Sequence, residues 1–171
     1  MKRDYSSKIL KVINIILLVV SVALLLWLLN QNFPFSGKFE LKMNFDKAQP
    51  ALLVLKPASR LEKTGGNVAV LGSPVYFNLR TIQYYRLARI EIIYQPAGRQ
   101  ITEIAGKTGP GWNYYSQKPY AQVALGDGWQ QVIFDFDLSR LYKIRNLMEF
   151  LIVSAGEGQS IIKEINITLS R

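Results

Sequence analysis

Two patterns of hydrophobic and polar positions divide the chain. Residues 12–29 read VINIILLVVSVALLLWLL, in which only Asn14 and Ser21 are polar and nothing is charged. As a helix this run spans about 27 Å, close to the roughly 30 Å of a bilayer's hydrocarbon core. Ile9, Leu10 and a snorkelling Lys11 extend it, and Trp27 stands near the far end, where an indole suits the headgroup layer. The run exceeds the apolar core of a cleaved secretory signal, and no small-residue cleavage pattern follows it. The pattern predicts an uncleaved transmembrane helix over 12–29.

After a polar, proline-bearing linker over 30–38, a period of two takes over. Phe39, Leu41, Met43 and Phe45 alternate with Glu40, Lys42 and Asn44. The same alternation sets Val75, Phe77 and Leu79 against Tyr76, Asn78 and Arg80, and Ile90, Ile92 and Tyr94 against Arg89, Glu91 and Ile93. It recurs with Val132, Phe134 and Phe136 against Ile133, Asp135 and Asp137, and with Ile165, Ile167 and Leu169 against Glu164, Asn166 and Thr168. Each stretch predicts a half-buried strand. Apolar runs at 51–55, 68–71, 120–125 and 150–154 add shorter ones. Turn signals lie at Thr64–Asn67 and Gly126–Gly128. Gln95-Pro96-Ala97-Gly98 is expected to close one strand, with Ile101–Ile104 opening its hairpin partner. Residues 105–119 read as the longest loop, and Leu138, Leu141, Ile144 and Leu147 as a short helical turn. Many short strands without a long amphipathic helix predict an all-β domain over 39–171, a jelly-roll-type β-sandwich of antiparallel strands.

Charge gives the membrane segment a direction. Lys2, Arg3, Lys8 and Lys11 precede it, and no basic residue follows until Lys38. The positive-inside rule places 1–11 in the cytoplasm as a basic flank and 39–171 outside, making a single-pass protein with an extracytoplasmic domain. The linker reaches about 30 Å at most, so the domain stays near the bilayer. A pilin-type assembly helix is excluded, because neither glycine nor glutamate occurs before Gly37; the absence of cysteine excludes a lipoprotein-type anchor. Of the net charge of +9, the flank (four basic residues against Asp4) supplies +3, which leaves +6 outside. Such an excess suits anionic envelope polymers or lipid headgroups, or is simply a solvated surface. Nucleic acid is not an expected partner in that compartment.

From Phe39 to Arg171 the order of features resembles the galactose-binding-like jelly rolls, the fold of many carbohydrate-binding modules. VYFNLRT (75–81) followed by ARIEIIY (88–94) carries part of the likeness. The rest comes from WQQVIFDFDLSRL (129–141), FLIVSAG (150–156) and IIKEINITL (161–169). The resemblance implies a sandwich closed by its last strand and a module that binds glycan, docks in an assembly or serves structure alone.

Candidate chemistry is sparse. Without cysteine or histidine the chain has no thiolate nucleophile, no imidazole base and no usual ligands for zinc, copper or haem. Trp112, Tyr114, Tyr115, Tyr120 and Trp129 lie in or beside turns; they stack on sugar faces or insert at a membrane interface, or else Trp112 and Trp129 simply cap the ends of the core. Asp135 and Asp137 share one strand face about 7 Å apart. They read as salt-bridged surface carboxylates, with a glycosidase pair or a structural calcium site shared with Asp127 as alternatives. Ala105-Gly106-Lys107-Thr108 lacks the earlier glycine and the following helix of a phosphate-binding loop. Asn166-Ile167-Thr168 fits a glycosylation acceptor. No cofactor and no enzymatic activity are expected. The expected function is a membrane-anchored, non-catalytic module that binds envelope glycan or polymer. The alternative is an assembly subunit docked on other envelope proteins.

Overall fold

The computed structural model describes residues 2–32, 37–43, 45, 52–81 and 85–171, with side chains described at 9–29, 37–43, 45, 55–81 and 85–171. The side chains of Lys2, Arg3 and Lys8 and linker positions 33–36 lie outside that set. The chain forms two compact units, 1–38 and 39–171. In the first, helix α1 (Lys2–Asn32) contains a stretch, Ile9–Leu29, of mean hydropathy 3.0. By length and composition this stretch is able to cross a membrane, and every side chain along it is exposed.

The second unit is an antiparallel β-sandwich of jelly-roll type. Its strands are β1 (Lys38–Met43), β2 (Leu52–Lys56), β3 (Leu61–Thr64), β4 (Asn67–Val70), β5 (Val75–Arg80), β6 (Leu87–Lys107), β7 (Tyr114–Gln117), β8 (Ala121–Gly126), β9 (Trp129–Asp137) and β10 (Leu147–Ser170). A short 3-10 turn at Leu138–Arg140 takes the place of the predicted helical turn. The alternating residues behave as period two requires. Phe77, Leu79, Ile90, Ile92, Phe134, Ile165 and Ile167 are almost wholly buried, while their neighbours in sequence face outward.

Two strands organise the domain. β6 and β10 pair along nearly their whole lengths and pass through both layers. The half containing 101–107 and 147–154 lies with β5 and β2 on one side and β7 on the other. The half containing 87–97 and 160–170 lies with β9 and β8 on one side and with β4 and β1 on the other. Phe150 of β10 joins the layers: Phe77 stacks on it at 5.2 Å and Phe136 of β9 meets it edge-on at 5.3 Å.

The expected hairpin at 95–98 is not a hairpin, and Ile101–Ile104 continues the same strand. Pro96 opposes Ser160, and Ala97 and Gly98 both oppose Gln159 at a bulge. A proline's missing N–H is tolerated at a bulge, and the bulge bends the strand. Gly98, Gly156 and Gly158 have φ of 89°, 111° and 96°. A Cβ at any of them would fall within 3.0 Å of a carbonyl oxygen on the opposing strand. Residues that elsewhere make a turn here let two strands bend together. β6 also runs on to Lys107, so the loop predicted over 105–119 contracts to 108–113 before β7.

Candidate functional site

Strand register assembles a polar and aromatic face on the outside of the β5–β10–β6–β7 layer. One row crosses it as Asn78, Glu149, Lys107 and Tyr114. The next runs Lys56, Tyr76, Leu151, Ala105 and Ser116. Leu151 and Ala105 are buried and form an apolar floor, with the polar and aromatic side chains around it partly open to solvent. A groove of about 290 Å³ lies along this face, lined by Lys56, Pro57, Tyr76, Phe77, Asn78 and Glu149.

The polar groups of the face are held in place. The Tyr114 hydroxyl and Lys107 Nζ both donate to Glu149 Oε1, the latter at 3.2 Å, and Lys107 also lies 5.7 Å from the centre of the Tyr114 ring. Burial pushes the Glu149 carboxyl up, but the hydrogen bonds from Tyr114 and Lys107 outweigh it and hold the group below the usual glutamate range. Burial first, and then the bond to Glu149, push the Tyr114 phenol well above its ordinary value. The face therefore presents a fixed carboxylate and a neutral phenol beside the Asn78 amide and the Lys107 side chain. Trp112 stands at its rim with its ring 6.0 Å from that of Tyr114 and 76% exposed.

The five aromatics expected to bind together are not one cluster. Trp112 and Tyr114 belong to this face. Tyr115 follows Tyr114 on the opposite side of β7, and its hydroxyl accepts from Gln117 Nε2. Tyr120 adjoins the Ala121–Ile133 end of the β8–β9 hairpin, with the Arg89 guanidinium 6.0 Å from its ring. Trp129 lies at the other end, opposite Gly126, partly covered and with Lys163 Nζ 5.3 Å from its ring. Tyr76, Asn78 and Glu149 were not among the candidate residues read from sequence, and Lys107 entered only as part of the discarded phosphate-loop tail. The outward phase of VYFNLR points to Tyr76 and Asn78, but Glu149 falls just before the apolar run 150–154, and no pattern marks it.

The aspartates are engaged elsewhere. Arg89 Nε and Nη2 donate to the two carboxylate oxygens of Asp135 at 2.9 and 3.2 Å, which raises the guanidinium's pKa. Asp137 Oδ1 accepts from the Ser139 backbone N–H at 2.9 Å and from its hydroxyl at 2.6 Å, with Arg140 at 3.4 Å from the other oxygen. These bonds hold the Asp137 carboxyl below its ordinary range. Asp127 lies exposed in the turn before β9 at φ 50°, at the far end of that strand. The proposed calcium trio is thus not one ligand set: among the described residues no group of three acidic side chains is placed to hold a metal ion. Asn166 of the acceptor tripeptide lies within β10, its amide donating to Glu164.

No known protein-family pattern and no curated protein sequence matches this chain. Among solved structures it is similar to the C-terminal CBM6 of LamC, a marine laminarinase from Zobellia galactanivorans (16% identity, 76% of this chain and 99% of that one, TM-score 0.44). It is similar also to the CBM22-1 xylan-binding domain of Paenibacillus barcinonensis Xyn10C (11% identity, 77% and 94% covered, TM-score 0.46). A third is TmCBM27, a carbohydrate-binding module that recognises mannan (11% identity, 78% and 99% covered, TM-score 0.43). Similarity at this level carries no ligand over to the face described above.

Proposed function

We propose that residues 39–171 form a non-catalytic glycan-binding module whose binding surface is the outer face of β5, β10, β6 and β7. The observation that carries this reading is the exposed Trp112 ring at the rim of a face that also offers Tyr76, Asn78, Tyr114 and the Glu149 carboxylate. A sugar ring has an apolar C–H face and a rim of hydroxyls; an indole covers the first, and amide, phenol and carboxylate groups bond the second. The engagement of Asp135 by Arg89 and of Asp137 by Ser139 supports a binding role over a hydrolytic one. In this reading α1 anchors the module in a bilayer, with the basic flank cytoplasmic and the domain on the other side.

The test is binding of the detergent-purified full chain to an array of neutral and acidic polysaccharides. Trp112→Ala is expected to weaken binding about tenfold or more, as loss of an aromatic anchor does. Its thermal midpoint should not move, because the ring is mostly in solvent. No binding above background, or equal binding by the variant, would refute the proposal.

A further inference from the structure

One end of the sandwich is basic and apolar at once. The Leu138 N–H donates to the Arg86 carbonyl at 2.6 Å and the Tyr142 N–H to the Lys107 carbonyl at 2.8 Å. Both ends of β6 therefore stand side by side here, and its bend at 97–100 lies at the far end. The Arg86 N–H donates to the Ser170 carbonyl and the Thr81 N–H to that of Asn146, which brings the ends of β10 and β5 to the same place. Residues 80–87 and 137–147 carry five basic side chains, Arg80, Arg86, Arg140, Lys143 and Arg145, and one acidic, Asp137. Five less one is +4, most of the +6 found beyond the N-terminal flank. None of the five is buried, and Asp137 is already bonded to Ser139. Leu87, Tyr142 and Ile144 stand among these charges, 50%, 37% and 55% exposed. Ile144 is held outward by a built turn. It exchanges backbone hydrogen bonds with Leu147 at 3.0 and 2.9 Å, and Arg145 and Asn146 between them have φ of 51° and 66°.

We propose that this end of the domain seats on the headgroups of an anionic bilayer, the one that α1 is read as crossing. The inference rests on that reading of α1 and is separate from the glycan face. β1 begins at this end, where the Phe39 ring stacks on that of Tyr85 at 6.2 Å, beside Arg86. The linker thus joins the domain at its most basic end, and a reach of about 30 Å keeps the loops within range of lipid. Each basic side chain near a negative surface favours the seated state about fivefold. Tyr142, Ile144 and Leu87 enter the headgroup layer between them, as the apolar side chains of interfacial segments do. Those exposed apolar groups favour a bilayer over a dissolved anionic polymer, which gives them nothing to enter.

The native chain has no cysteine, so a single labelled cysteine reports the contact directly. Full chain carrying Ile144→Cys with an NBD fluorophore is placed in nanodiscs of phosphatidylcholine, or of an equimolar mixture with phosphatidylglycerol. In the anionic discs the emission should rise and move to the blue, be quenched by headgroup spin-labelled lipid, and revert at high salt. The same label at Ala155→Cys, exposed beside the bend at the other end, should not respond. Adding Lys143→Gln and Arg145→Asn removes two charges, and asparagine suits the turn. The ratio of seated to free domain should then fall about 25-fold, with circular dichroism and polysaccharide binding unchanged. Failure of the chain to enter discs would overturn the reading of α1 and this inference with it. Entry followed by equal emission in both lipids, equal responses at 144 and 155, a response indifferent to the two charges, or a blue shift without lipid-borne quenching would overturn the inference alone.

Discussion

At the scale of single residues, the Glu149 carboxylate is the most informative group. Its pKa lies below the ordinary value of about 4.3 in the folded chain, so it stabilises the fold above that pH and ceases to as pH falls through the folded-state value. Glu149→Gln should therefore lower stability at pH 7, by under about 1 kcal/mol for a group a third exposed. Urea unfolding curves of wild type and variant should converge as pH falls through the folded-state value; a gap independent of pH would show that packing, not charge, was lost. The tryptophans show where sequence stops informing. Trp112 and Trp129 both border turns, yet one stands in solvent and the other lies partly covered near Lys163. Which strand lies beside each turn decides the difference, and spacing along the chain does not record lateral neighbours. For the same reason Tyr114 was legible as a candidate and its partner Glu149 was not.

At the scale of elements, the strands with clean alternation were legible from side-chain period alone, because one face of each meets the core. The bend at 95–98 was not, since proline and glycine signal a turn and a bulge with the same residues. The distinction rests on β10, distant in sequence, which brings Gly156 and Gly158 against the carbonyls of Gly98 and Ala97. Two substitutions separate the cases. Gly98→Ala places a methyl against the Glu157 carbonyl at positive φ and should cost more than about 2 kcal/mol. Gly65→Ala, at φ 53° in the open β3–β4 turn, should cost about 1 kcal/mol. Urea midpoints measure both, and equal losses would mean that the close approach at the bend does not constrain the fold.

At the scale of the molecule, one core serves both layers, and Phe150 is its joint. Phe150→Ala should cost about 3–5 kcal/mol, the range for a buried aromatic truncated to a methyl. Tryptophan fluorescence and far-ultraviolet circular dichroism should report a single coincident transition; two separated transitions would show that the layers unfold apart. Many sandwiches are two sheets laid together, with a plane between them along which one layer could slide or peel. Here β6 and β10 carry the same backbone ladder through both layers. There is no such plane of weakness: to part the layers is to tear the two longest strands, so their buried amides on either side of the bend, such as those of Ile92 and Ile104, should be the last to exchange their hydrogens with water.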